Sequence, residues 1–144
     1  METETMGRVL TETTLENMED LWAARRGLIQ PDQVRRVVVA DALVDTGATG
    51  LALPRRLIQQ LGLTLSHEKR AVSSTGAFEA NVYQAARETI MDRSMPIDVL
   101  EVPDEVPVLA GQLVLEGLDL VVDVPNHRLI GNPAHGGEHV YELY

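Results

Sequence analysis

Apolar and polar positions alternate at the start of the chain. Val9, Thr11, Thr13 and Leu15 fall on one side of residues 8–16, with Glu12 and Glu16 on the other. A period of two predicts a strand with one wet face. Asn17 then reads as a helix N-cap. Glu19 and Asp20 stand in the first turn behind it, Arg25 and Arg26 in the last, and Gly27 just beyond. Those placements suit the helix dipole and a left-handed stop, and predict a short helix over 18–26. Val34 to Val44 is rich in β-branched residues around Val37-Val38-Val39 and predicts a buried strand. That strand runs directly into Asp45-Thr46-Gly47-Ala48-Thr49-Gly50. The short apolar piece Leu51-Ala52-Leu53 follows. Pro54 fits the first position of a helix ending at Gly62.

Residues 65–91 read as strands broken at Thr75-Gly76, a hairpin signal. Asp92-Arg93 marks another turn, Ile97 to Val102 alternates as a strand, and Pro103 to Pro107 is a loop. Val108-Leu109-Ala110-Gly111 is a short apolar strand, and Gln112 to Leu118 can form two helical turns. Leu120 to Val124 and Arg128 to Ile130 are strands around a Pro125-Asn126 turn. Short strands at close spacing with two or three short helices predict a mainly-β barrel or sandwich. The 144 residues fit one domain, with residues 1–7 and 131–144 as arms or tails and the strand at 8–16 inside the barrel.

Composition narrows this picture. Aromatic residues are 3% of the chain, so the core must be built from Val, Leu, Ile and Ala. The formal charge is −10. Binding to a nucleic-acid backbone needs clustered Lys and Arg, and here the basic residues come as isolated pairs, so nucleic acid is excluded as a partner. There are no cysteines, which excludes disulfides, thiolate nucleophiles and Cys-based zinc sites. Met1 to Met6 is acidic and polar, unlike a signal peptide, and no apolar run reaches the ~20 residues of a membrane span. A cytoplasmic protein without membrane contact is the expectation.

The candidate chemistry lies in the loop after Val44. Asp45 stands at the end of an apolar strand, where desolvation and a like-charged neighbour can tune a carboxylate. Thr46 can donate its hydroxyl across a tight backbone approach, and Gly47 permits that approach because it has no Cβ. An ordinary surface turn also uses Asp, Thr and Gly. The tripeptide turns up by chance in roughly 3% of chains this long, so its context must carry the argument.

That context resembles the retropepsin-like aspartic proteases, and among them the small bacterial type. Val44-Asp45-Thr46-Gly47-Ala48-Thr49 after an apolar strand looks like their active-site loop. Val108-Leu109-Ala110-Gly111-Gln112-Leu113-Val114-Leu115 resembles the strand-to-helix segment that crosses behind that loop. Leu118 to Asp123 resembles the strand after it, and Ser73-Ser74-Thr75-Gly76-Ala77-Phe78 falls where the family places its flap. The resemblance runs from about Val37 to Ile130. It implies a closed, six-stranded-type acid-protease barrel. It also implies an aspartic endopeptidase that hydrolyses peptides or proteins without metal or other cofactor.

Two carboxylates sharing one proton make such a site, and this chain supplies one Asp-Thr-Gly. The resemblance therefore implies a homodimer that brings Asp45 against its symmetry mate. Thr46 would brace the pair, Ala48 would line the cleft, Thr75 and Gly76 would form the flap, and Ala110 and Gly111 would hold the loop from behind. Thr49 and Gln112 stand where retroviral members carry an acid and an Arg, so the ion pair of that branch cannot form. Ala110 replaces a larger aliphatic residue.

Rival readings are a non-catalytic binding or dimerisation module with the same fold and a metal-dependent hydrolase. His135-Gly136-Gly137-Glu138-His139 matches a metalloprotease string that needs a helix. Pro133 and the Gly-Gly pair oppose a helix, so the segment is expected to be a tail strand or an arm on the partner subunit. Ser73, Ser74 and His67 lack a nucleophile elbow. Asp41 is expected to face solvent, Asp119 and Asp123 to flank or occupy the late strand without catalytic duty, and Trp22 to lie in the core or at a dimer contact.

Overall fold

The computed structural model describes residues 8–143. It is mainly β, with nine strands and three short helices. In chain order they are β1 (Val9–Asn17), α1 (Met18–Arg25), β2 (Arg36–Val44), β3 (Leu51–Pro54), α2 (Arg55–Leu61), β4 (Thr64–Ser73) and β5 (Gly76–Ile90). Then come β6 (Arg93–Val102), β7 (Leu109–Ala110), α3 (Gln112–Gly117), β8 (Leu120–Asp123) and β9 (Arg128–Gly131). Seven strands form one sheet in the order β1-β2-β7-β3-β6-β5-β4. A further antiparallel pairing of β1 with β5 closes six of them into a ring, consistent with a retropepsin-like fold. β4 hangs outside the ring on β5, and β8 and β9 form a separate hairpin.

The interior is aliphatic, as the composition requires. Leu15, Leu51, Leu53, Leu61, Ile90, Val99, Val114 and Leu118 are fully or almost fully enclosed. Among the aromatic residues described, Tyr83 packs against this core. Trp22 does not: it is 44% exposed on a helix that buries no residue, which corrects its reading as a core side chain.

Local signals explain the element ends. The Asn17 side chain accepts from Asp20 N at 3.0 Å, and Gly27 follows the helix at φ 77°. The Asn17 amide also donates to Leu61 O at 2.8 Å and ties β1 to α2. Pro54 lies one residue ahead of its expected place, as the N-cap of α2.

The strand expected to be buried over Val34 to Val44 is only half so. Val37 and Val39 pack on the core, while Val38 is 58% exposed. The apolar run conceals a bulge. Thr11 pairs with Ala42 and Thr13 with Val39, so Ala40 and Asp41 together oppose Glu12. The extra residue reverses which parity faces inward: Val37 and Val39 before it, Ala42 after it. Asp41 is exposed, as expected.

Candidate active site

The loop from Asp45 to Gly50 leaves β2 and returns through β3, and β7 lies between those two strands. β7 runs parallel to β2, with Val44 beside Ala110, and antiparallel to β3, with Leu51 beside Ala110. Two residues of β7 thus hold both flanks of the loop. Leu43 N donates to Val108 O at 2.8 Å and Asp45 N to Ala110 O at 3.0 Å.

The bracing continues into α3. Gly111 N donates to Gly50 O at 3.0 Å, Gln112 N to Ala48 O at 2.9 Å and Leu113 N to Thr49 O at 2.8 Å. The first N–H groups of a helix have no partner within it. Here two of them, with the N–H of the cap residue Gly111, satisfy three consecutive loop carbonyls. Gly111 is required by closeness, not by its φ of −94°. A Cβ there would stand 2.6 Å from Ala48 O and 2.7 Å from Gly50 O.

Within the loop, the Asp45 carboxylate accepts from Gly47 N at 3.0 Å through Oδ1, and Ala48 N donates to Asp45 O at 3.0 Å. These bonds turn the chain and fix the carboxyl against the backbone. Asp45 and Ala48 are half-buried, and Thr46, Gly47 and Thr49 are exposed. The Thr46 hydroxyl has no hydrogen-bond partner among the described residues. The Gln112 side chain reaches Glu116 Oε2 at 3.2 Å, so it makes no bond to Thr49, and the backbone bonds of 111–113 serve the loop instead.

β4 and β5 make a long hairpin with Ser73 paired to Gly76 across the Ser74-Thr75 turn. Gly76 has φ 128°, a conformation side chains other than glycine rarely adopt. The Ser73 hydroxyl lies 2.9 Å from that of Thr75 and accepts from Thr75 N at 3.2 Å. The tip is fully exposed, and Val72 beside it is 78% exposed.

The His135–His139 segment has no helix. Pro133–His135 is one 3-10 turn, and Gly136 and Gly137 take φ of 67° and 81°. The expected tail strand is also missing: no residue after β9 joins a sheet among the described residues. The segment folds back on its own subunit. His135 Nδ1 lies 2.6 Å from Asp119 Oδ2 and Nε2 3.2 Å from Glu142 Oε2. Asp119 also accepts from Val140 N at 3.1 Å and Asn132 Nδ2 at 3.1 Å. His139 turns instead to Gly117 O at 3.2 Å, so the two histidines serve different partners.

The His135 bond, with the other donors around it, lowers the Asp119 carboxyl to about 2, against some desolvation. Asp119 and Glu142 in turn raise His135 above its ordinary value. Asp119 stands directly before β8, as expected, but the clasp leaves no mark in the sequence, since its members lie in irregular chain far apart. The clasp needs Asp119 ionised and His135 protonated, so it is at full strength between pH 3.8 and 6.5, weakens as pH rises through the raised imidazole value, and weakens again as pH falls toward about 2. Limited proteolysis of the tail is therefore expected to speed up above neutral pH. His135→Ala should be cut fast at every pH, and equal rates in both proteins would refute the clasp.

The sequence profile of the aspartyl protease family matches residues 33–122, from just before β2 into β8. The chain belongs to that family, in its retropepsin-like branch. No curated protein matches the chain.

Proposed function

We propose that the protein is an aspartic endopeptidase that works as a homodimer, with Asp45 of each subunit forming one catalytic dyad. The observation that carries this reading is the Asp45–Ala48 loop, held on both flanks by β7 and from behind by α3. The bonds that hold the loop run through its backbone and leave the Asp45 carboxyl and the Thr46 hydroxyl unclaimed by other side chains among the described residues.

Two carboxylates brought within ~3 Å cannot both ionise and share a proton. The ionised one takes a proton from water as that water attacks the peptide carbonyl. The protonated one donates to the carbonyl oxygen. The pair titrates as a unit, so neither copy has a value of its own. Thr46 of each subunit would bond across the two-fold axis. Ala48 would line the cleft, and Thr75 and Gly76 would close over the substrate as a flap. No metal or organic cofactor takes part, and the substrate is a peptide or protein segment. The single domain, a partner contact by the tail or by Trp22, and a cytoplasmic location belong to the same reading, while the arm expected at residues 1–7 lies outside the described residues.

The test joins association to activity. Sedimentation should give a dimer at micromolar concentration, and a peptide library should be cleaved at acid or neutral pH. A stable monomer would remove the shared dyad. A dimer that cleaves nothing, and whose melting a pepstatin-like inhibitor does not shift, would mark a binding module with this fold. The lack of an acid–Arg ion pair at positions 49 and 112, held here by Thr and Gln, is what gives that rival its footing.

A further inference from the structure

The ring closes where β1 meets β5, over four residue pairs from Thr14–Thr89 to Asn17–Ala86. A glutamate stands on each face of this seam. On the outer face, Glu16 of β1 is 7% exposed at its side chain. Its Oε2 accepts from Arg36 Nη2 of β2 at 2.8 Å, and its Oε1 from Arg87 Nη2 of β5 at 2.7 Å. One carboxylate therefore stitches three strands. Burial alone would raise its proton affinity, but the two guanidiniums together hold it below the ordinary value of 4.5.

On the inner face, Glu88 of β5 shares its side with Ala86 and Ile90 and has no solvent exposure. Its Oε2 accepts from Thr13 Oγ1 of β1 at 2.9 Å, across the seam. Its Oε1 has no partner. The charged groups of the flanking strands are engaged elsewhere or face solvent. Glu12 of β1 is exposed, and Glu16 takes Arg87. On β6, which offers Met95 opposite Glu88, Arg93 donates to the carbonyls of Leu118 and Asp119. Asp98 lies 3.5 Å from Gln84 Nε2. Glu88 thus has no cation to offset its charge, and a buried unpaired carboxylate is far more costly than a buried neutral acid.

We propose that the β1–β5 seam is a pH-gated closure, shut while the Glu88 carboxyl keeps its proton and loosened when the proton leaves. A carboxylate on the inner face with one donor must draw in water, and the shortest exit is the parting of the two strands that Thr13 and Glu88 bridge. Burial, opposed in part by the Thr13 bond, raises Glu88 to about 7. A raised acid contributes full stability below its unfolded value of 4.5 and loses it as pH climbs through about 7. Glu16 runs the other way. Its contribution is present above 4.5 and is lost as pH falls through its lowered value. The seam is therefore tightest on the acid side of neutral. This gate concerns folding and is independent of whether Asp45 cleaves peptides.

Hydrogen exchange, corrected for the intrinsic effect of pH, reads the gate directly. In the wild type, protection of the seam amides in β1 and β5 should fall by up to tenfold per pH unit between about pH 5 and 7. The outer part of the β4–β5 hairpin should not follow. In Glu88→Gln the seam should lose this pH dependence. Parallel profiles in both proteins, or a loss in the wild type spread evenly over every strand, would overturn the proposal. If Glu88→Gln does not fold, the side-chain carboxyl carbon of Glu88 can be titrated by NMR in the wild type. A midpoint near 7 that coincides with changes at the seam amides supports the gate, and a midpoint near 4.5 overturns it.

Discussion

Asp45→Asn is expected to abolish peptide cleavage, lowering kcat/KM by about 10 000-fold, the upper end of what acid–base groups supply. The substitution is nearly isosteric. Its amide oxygen can still accept from Gly47 N, the bond that Asp45 Oδ1 takes at 3.0 Å. The loop should therefore keep its shape, and unfolding in urea should shift by less than about 0.5 kcal/mol. What the variant loses is the shared proton. An amide can neither take a proton from water nor present an acid to the carbonyl. Mixing gives a second readout. When excess Asp45→Asn subunits exchange with wild type, activity should fall with the fraction of wild-type homodimers, because a mixed dimer holds one aspartate. Wild-type rates in Asp45→Asn, or no loss on mixing, would sink the shared dyad.

The loop was legible because its constraints are local and leave marks in sequence. Asp-Thr-Gly needs an apolar strand before it, and the chain shows one. Gly111 needs apolar residues before it and a helix after it, and both are there. The caps Asn17 and Gly27 were readable for the same reason. The burial of β2 was not. Val37-Val38-Val39 gives no sign of the bulge at Ala40-Asp41, which depends on how β1 pairs with it. Trp22 is apolar by composition, but α1 packs no residue fully into the core. Glu88 did leave a trace, since it shares its parity with Ala86 and Ile90, yet its bond to Thr13 joins positions 75 residues apart. The clasp of Asp119 with His135 and Glu142 left none, because no periodicity governs residues in turns. Long-range pairing is what the chain conceals, and those are also the contacts that respond to pH.

Gly111→Ala carries the second large effect, and it separates support of the loop from chemistry. Its Cβ would stand 2.6 Å from Ala48 O and 2.7 Å from Gly50 O. Neither oxygen can retreat freely. Ala48 O accepts from Gln112 N and Gly50 O from Gly111 N, so relief of the clash breaks bonds that hold the loop. Overpacking against backbone, with the loss of such bonds, is expected to cost about 3 kcal/mol in urea unfolding. Activity should fall further than the folded fraction does, because a shift of ~1 Å at Asp45 spoils the approach of two carboxyls that must share a proton. Gly50→Ala is the control. It lies in the same loop, but a Cβ there meets nothing within 4 Å. It should remain within about 0.5 kcal/mol of the wild type. If Gly111→Ala were as stable and as active as Gly50→Ala, the contact behind the loop would not be what holds Asp45 in place. If it were stable but inactive, the contact would orient the carboxyl without supporting the fold.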